Sequence, residues 1–193
     1  MAGNGNTSAS RIYNLADILV GDTDAPAPTD LDSDLSADYE LVGLISQDDG
    51  IGNTFSSDDT DHFAYGSIFI RKTSIKEKRT MTFTALENSD LVWGLANPGS
   101  ETSEAGGVTS RIRRPRNLAL AIRSVVLELD DGEIRSRLYI PRAQIAQTGD
   151  QPITDNSIAG YPMTLDVLAA NDEDGIFYTI ELTDDPDAAP AGS

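Results

Sequence analysis

Between residues 66 and 87 the chain reads GSIFIRKTSIKEKRTMTFTALE, and at its end Met81, Phe83 and Ala85 alternate with Thr80, Thr82 and Thr84. A period of two is the signature of a strand with one buried face, and the β-branched and aromatic content agrees with it. The stretch predicts two long neighbouring strands, 66–75 and 76–87. Strands this long expose long edges, so the fold has to pair them, cover them or close them into a ring.

The rest of the chain continues the theme. Further strands are expected at 39–46, 107–116, 118–129 and 133–140, with a closing pair at 161–168 and 176–182. Asp131-Gly132 marks a hairpin between the third and fourth of these. One short helix is expected over 88–96, capped by Asn88 or Ser89, with Leu91, Val92 and Leu95 at helical spacing and Trp93 on its buried side. Seven or eight strands and one helix predict a mainly β protein, an antiparallel β-sandwich or barrel. The core domain is expected at 39–182. Residues 1–38, rich in Asp, Pro and Ala, read as an N-terminal arm, 46–62 as a long acidic loop, and 183–193 as a C-terminal tail. Both ends are expected to be mobile in the free subunit.

YIPRAQI, at 139–145, places a proline inside an apolar run. Proline has no N–H to give to a ladder, so it fits a strand end, a bulge or an unpaired edge. The strand is therefore expected to change direction or partner at Pro141, and a strand end there leaves Arg142 available to an acidic group.

Charge narrows function. The formal net charge of −18 argues against groove binding to nucleic acid, which demands clustered Lys and Arg on the contact face. All but one of the basic residues lie between Arg71 and Arg142, while acids dominate both sides of that span. In an assembly such polarity supplies two complementary surfaces. On this reading the acidic loop, with Asp48, Asp49, Asp58, Asp59 and Asp61, reaches a neighbour's Arg111, Arg113, Arg114 and Arg116, and Arg142 is a further contact candidate.

Catalytic chemistry finds little support. His62 is the only histidine, and beside Asp58, Asp59 and Asp61 it reads as a polar loop tip rather than a metal centre. NDEDG at 171–175 lacks the twelfth-position glutamate of a calcium loop, and the GIG at 50–52 lacks the third glycine of a nucleotide fingerprint. With no cysteine and one histidine, no nucleophile and base pair is marked out. No catalytic residue, metal or cofactor is expected. No run approaches the roughly 18 apolar residues of a membrane span.

Three segments, APAPTDLDSDLSADYELVGLISQDDGI (25–51), YIPRAQI (139–145) and YPMTLDVLAA (161–170), together resemble the major tail, or tail tube, protein of long flexible-tailed bacteriophages, closest to those of actinobacteria. RKTSIKEKRTMTFTALEN (71–88) suits that family's long inner strands. The resemblance implies a structural virion protein whose β-sandwich subunits form hexameric rings, their strands joined in a continuous inner barrel. Rings stack into a tube through which the genome leaves, DNA passing the lumen without specific binding; the acidic balance of the chain agrees, since a negative lumen repels phosphate. It also implies tape measure, tail terminator and distal tail proteins as partners, no membrane, and assembly in the host cytoplasm. Two rival classes stand beside it. A carbohydrate-binding or adhesin-like β-sandwich calls for clustered surface aromatics where this chain has one tryptophan, and a metal-dependent hydrolase calls for more ligands than one histidine supplies.

Overall fold

Alternation within LADILVG sends Ile18 and Val20 inward, and this segment forms β1 (Leu15–Gly21), an interior strand of the principal sheet next to its end, with Ile18 0% exposed. In the computed structural model, which describes residues 11–115, 117, 121–151, 153–156, 158–172 and 175–184, β1 lies between β2 (Tyr39–Leu41) and β7 (Ile122–Asp130). The predicted N-terminal arm, 1–38, is thus corrected over Leu15–Gly21, which form a strand of the sheet. Composition missed the strand because its flanks are polar, although four large apolar residues, Leu15, Ile18, Leu19 and Val20, sit within it.

Next in chain order are β3 (Gly52–Ala64), β4 (Ile68–Ala85), α1 (Asp90–Ala96), the small hairpin β5 (Glu101–Ala105) and β6 (Val108–Ile112), β7, and β8 (Arg135–Thr148). They are followed by β9 (Tyr161–Val167), the short pair β10 (Ala170–Asp172) and β11 (Gly175–Phe177), and β12 (Ile180–Thr183). All named pairings are antiparallel, and the principal sheet runs β2-β1-β7-β8-β9-β4-β3, with β12 also on β8. Residues 42–46 tie its two ends together. Val42 N donates to Ile18 O at 2.8 Å, Ser46 N to Thr84 O at 2.9 Å and Leu86 N to Leu44 O at 2.8 Å, so the sheet closes as a barrel. Gly43 permits the crossing: its φ is 91°, and a Cβ there would overlap the Glu87 carboxylate that accepts from Leu44 N.

Inside the barrel, Ile18, Val42, Met81, Phe83, Val125, Ile140, Ile145, Met163 and Leu165 form one core. The helix packs on β8 and β9. Ser89 caps it, its Oγ accepting from Val92 N at 3.2 Å, and Val92, Trp93, Leu95 and Ala96 are buried, so Trp93 and Leu95 lie inward as expected while Leu91 is only partly buried. Trp93 is 4% exposed, so Trp93→Ala is expected to cost about 3–5 kcal/mol of stability in a urea titration. An unchanged midpoint would mean that the helix contributes nothing to the core.

Pro141 sits at a bulge. Val125 pairs with Ile140 and Arg123 with Ala143, so Pro141 and Arg142 together oppose Ser124. The strand does change partner there: Ser136–Tyr139 pair with β12, whereas Ala143 onward pairs with β9. It does not end, which corrects the strand-end reading. The predicted closing pair is corrected too, since β9 and β12 lie on successive halves of β8 rather than on each other. The predicted division of 66–87 also gives way to one unbroken strand, β4, because neither Gly nor Pro interrupts residues 68–85.

The opposite face of β1, β7 and β8 is covered by residues 22–38. Beneath this strap Tyr39, Val126 and Tyr139 form a second cluster with Leu19, Ala25, Leu35 and Ile180. The strap has few large apolar residues and is held by polar ones instead. Arg137, only 5% exposed, donates to Asp30 O at 2.6 Å and to Ser33 Oγ at 2.9 Å and forms an ion pair with Glu128. Asp30 Oδ1 accepts from the backbone of Asp32 and Ser33, and those bonds hold its carboxyl below the usual range. Burial, followed by the neighbouring Tyr39 phenol, pushes Tyr139 up to about 12. A tyrosine raised in the folded state contributes stability that is intact below its unfolded pKa near 10 and is lost as pH rises toward 12. Alkaline unfolding followed by tyrosinate absorbance is expected to set in above pH 10, and Tyr139→Phe to flatten that pH dependence.

Candidate assembly surface

The alternating sequence of β4 continues outward past its buried half. From Arg79 to Ala85 it pairs with β9 on one side, while from Ile68 to Thr82 it pairs with β3 on the other. Beyond Arg79, therefore, the β3 and β4 ribbon projects from the barrel with neither edge paired to a further strand among the described residues. From Ser57 to the turn it extends roughly 25 Å at the ~3.3 Å rise of a strand. The turn joins Ala64 to Ile68 through Tyr65, Gly66 and Ser67, with φ of 86° at Gly66 and 59° at Ser67. Glycine at 66 adopts that left-handed backbone without a Cβ penalty.

Its side chains are unusual for a solvated ribbon. Phe55, Phe63, Ile68, Phe69 and Ile70 are all more than half exposed, and Tyr65 reaches 104%. Phe63 and Phe69 meet edge to face at 5.6 Å, and Arg79 stacks over Phe55 at 5.3 Å and over Tyr178 at 5.4 Å. A lone two-stranded ribbon is marginal in water. Open edges with exposed aromatics are a docking template.

The predicted contact residues fall in separate places. Asp58, Asp59 and Asp61 lie on β3, which corrects the expectation of a loop over 46–62; only residues up to Ile51 form a turn, braced by Gly50 N on Ser46 O at 3.1 Å. Asp48 and Asp49 are exposed in that turn. Across the ribbon Asp59 meets Lys72 at 2.6 Å, which raises the lysine's pKa chiefly through the hydrogen bond. Asp58, Asp59, Asp61 and His62 stand on an alternating strand, and no group of three His, Cys, Asp or Glu among the described residues is placed to hold a metal ion.

Arg111, on β6, is occupied within its own chain. It donates to Asn88 Oδ1 at 2.6 Å and Asp90 Oδ1 at 2.8 Å and lies over the Trp93 ring at 5.5 Å, locking the small hairpin to the helix. Arg114 donates twice to Glu101, at 3.0 and 2.9 Å, lowering the pKa of that carboxyl. Arg113 is exposed, Arg116 lies outside the described residues, and Arg142, exposed at the bulge, donates to Ala169 O at 3.4 Å. Sequence reasoning missed the aromatic ribbon itself. Its signal was the run from Phe55 to Phe69 around YGS, obscured because SSDDTD has the composition of a loop.

A closed barrel bearing a long ribbon with exposed aromatics and edges unpaired among the described residues is the architecture of a subunit that joins others. The chain belongs to the phage tail tube protein family, whose model matches residues 2–191. That family is non-enzymatic, and its place is the tail of the virion. Among solved structures the chain is similar, at 12% identity and a TM-score of 0.43, to one from an extracellular contractile injection system, the PVC sheath/tube terminator in the extended state, over 94% of this chain and 99% of that one. A second, from the PVC sheath-tube complex in the extended state, shows 10% identity and a TM-score of 0.46 over 93% and 99%. No curated protein matches. No helix among the described residues is long and apolar enough to cross a membrane.

Proposed function

We propose that this tail tube protein assembles as hexameric rings that stack into the tube of a long flexible tail, the conduit for genome delivery. The observation that carries the reading is the β3 and β4 ribbon, whose open edges and exposed Phe55, Phe63, Tyr65 and Phe69 are satisfied when ribbons from successive copies lie side by side. Rotational repetition around a closed ring leaves no edge free. Since Met81 and Phe83 face the barrel core, the opposite face, with Thr80, Thr82 and Thr84, turns to the bore. Its register partners include Thr164 and Asp166, and farther out Asp58 lies opposite Lys76. Hydroxyls and balanced charge give DNA little to hold.

Stacking between rings falls to Asp48, Asp49, Arg113, Arg116 and Arg142. Arg111 and Arg114 would first have to leave the partners they hold within the chain. Tape measure, terminator and distal tail proteins meet the tube at its lumen and two ends. Electron microscopy and native mass spectrometry of the purified chain test the proposal: rings or tubes of uniform bore and a six-copy mass are expected, and a monodisperse two-fold dimer would overturn it.

A further inference from the structure

The ribbon's two open edges carry opposite charge. Strand β3 holds Asp58, Asp59 and Asp61 and neither Lys nor Arg, whereas the open part of β4 holds Arg71, Lys72, Lys76 and Lys78 against the single acid Glu77. Some of this charge is spent internally, in Lys72 with Asp59 at 2.6 Å and Lys78 with Asp166 at 3.0 Å. Asp58, Asp61, Arg71 and Lys76 form no ion pair among the described residues. Along β3 on its outer side, and along residues 68–78 of β4 on the side away from β3, no strand is paired among the described residues.

We infer that this segregation dictates which edge meets which: the acidic β3 edge of one copy receives the basic β4 edge of the next, and a two-fold pairing of like edges is excluded. The inference rests on the ring reading above and adds its direction. Copies related by rotation about a ring axis keep their strand direction, so the neighbour's β3 runs antiparallel to this β4, the same sense of pairing found within the ribbon. Each acidic strand then lies between two basic ones, its own β4 and its neighbour's, and signs alternate around the barrel. A two-fold contact would set β3 on β3 or β4 on β4, placing like charges across the new ladder. Charge thereby rejects the closed dimer, which would cap the open edges and stop growth, in favour of the head-to-tail contact that continues into a ring.

A chain with its charges exchanged tests this. Asp58, Asp59 and Asp61 are replaced by Lys, and Arg71, Lys72 and Lys76 by Glu, which preserves pairing within the ribbon with signs reversed. Circular dichroism and thermal melting establish folding. Exchanged copies are expected to form rings with one another, since their edges are again complementary. When co-expressed with the original chain under a different mass tag, they are expected to give two pure populations, with mixed rings at least tenfold below the statistical fraction by native mass spectrometry at low salt. Mixing at the statistical fraction would overturn the charge rule while leaving the ring reading intact. Failure of a folded exchanged chain to assemble, where the original does assemble, would also overturn it. Absence of rings from the original chain itself would strike the ring reading.

Discussion

Removing Asp58 to Lys76 and joining Ser57 to Glu77 through Asn-Gly is expected to yield a folded monomer that forms neither rings nor tubes. Ser57 and Glu77 are register partners, so a two-residue turn of that sequence closes the shortened ribbon without strain. The barrel is untouched, because β4 pairs with β9 only from Arg79 inward and Met81, Phe83 and Ala85, which β4 gives to the core, lie beyond the cut. Thermal stability should hold or rise slightly, since exposed apolar surface is removed. On the proposed ring contact, assembly then loses Phe63, Tyr65, Ile68 and Phe69 from each junction. Burial of even two such side chains is worth about 3 kcal/mol or more, which corresponds to over a hundredfold in each association constant. Sedimentation velocity reads the outcome directly. Tubes of normal diameter from the shortened chain would place the ring contact elsewhere on the molecule.

That experiment also separates what was legible in the sequence from what was not. The buried half of β4 was plain, because alternation is a local property and Met81, Phe83 and Ala85 display it in successive steps. Helix α1 was equally legible, from Ser89 as cap and Leu91, Val92 and Leu95 as its apolar stripe. The outer half of the ribbon was not. SSDDTD is the composition of a loop, and it forms a strand because each residue has a partner on β4, a relation invisible in any short window. At the Asp58/Asp59 and His62/Phe63 steps the extra residue falls on β4, and it is along the outer part of that strand that the period of two is broken. The contact candidates show the same limit. Charge placed Arg111 and Arg114 on a surface, but only the fold brings Asn88, Asp90 and Glu101 to them.

The strap over residues 22–38 presents the sharpest case, because its order rests on one buried cation. Arg137 bridges Glu128 on the neighbouring strand β7 and the carbonyls of Asp30 and Ser33, and the strap in turn shields Val126 and Tyr139. Arg137→Met keeps the apolar stem but leaves Glu128 and both carbonyls without their donor. Breaking one side of a buried pair costs about 3–5 kcal/mol, and the lower end is expected because Glu128 is more than a third exposed and regains water. At roughly 2–4 °C per kcal/mol for a chain of this size, the melting temperature should fall by about 6–12 °C. Cleavage by a protease specific for acidic residues should become faster at Asp30, Asp32 or Asp34, exposed residues of a segment whose backbone the Arg137 and Asp30 hydrogen bonds hold in place in the original chain. Replacing Glu128 by Gln alongside is expected to recover part of the loss, because the uncompensated charge is then gone, while the strap stays open for want of the guanidinium. Recovery of stability together with closure of the strap would mean that apolar contacts at Ala25 and Leu35, not Arg137, hold the segment down.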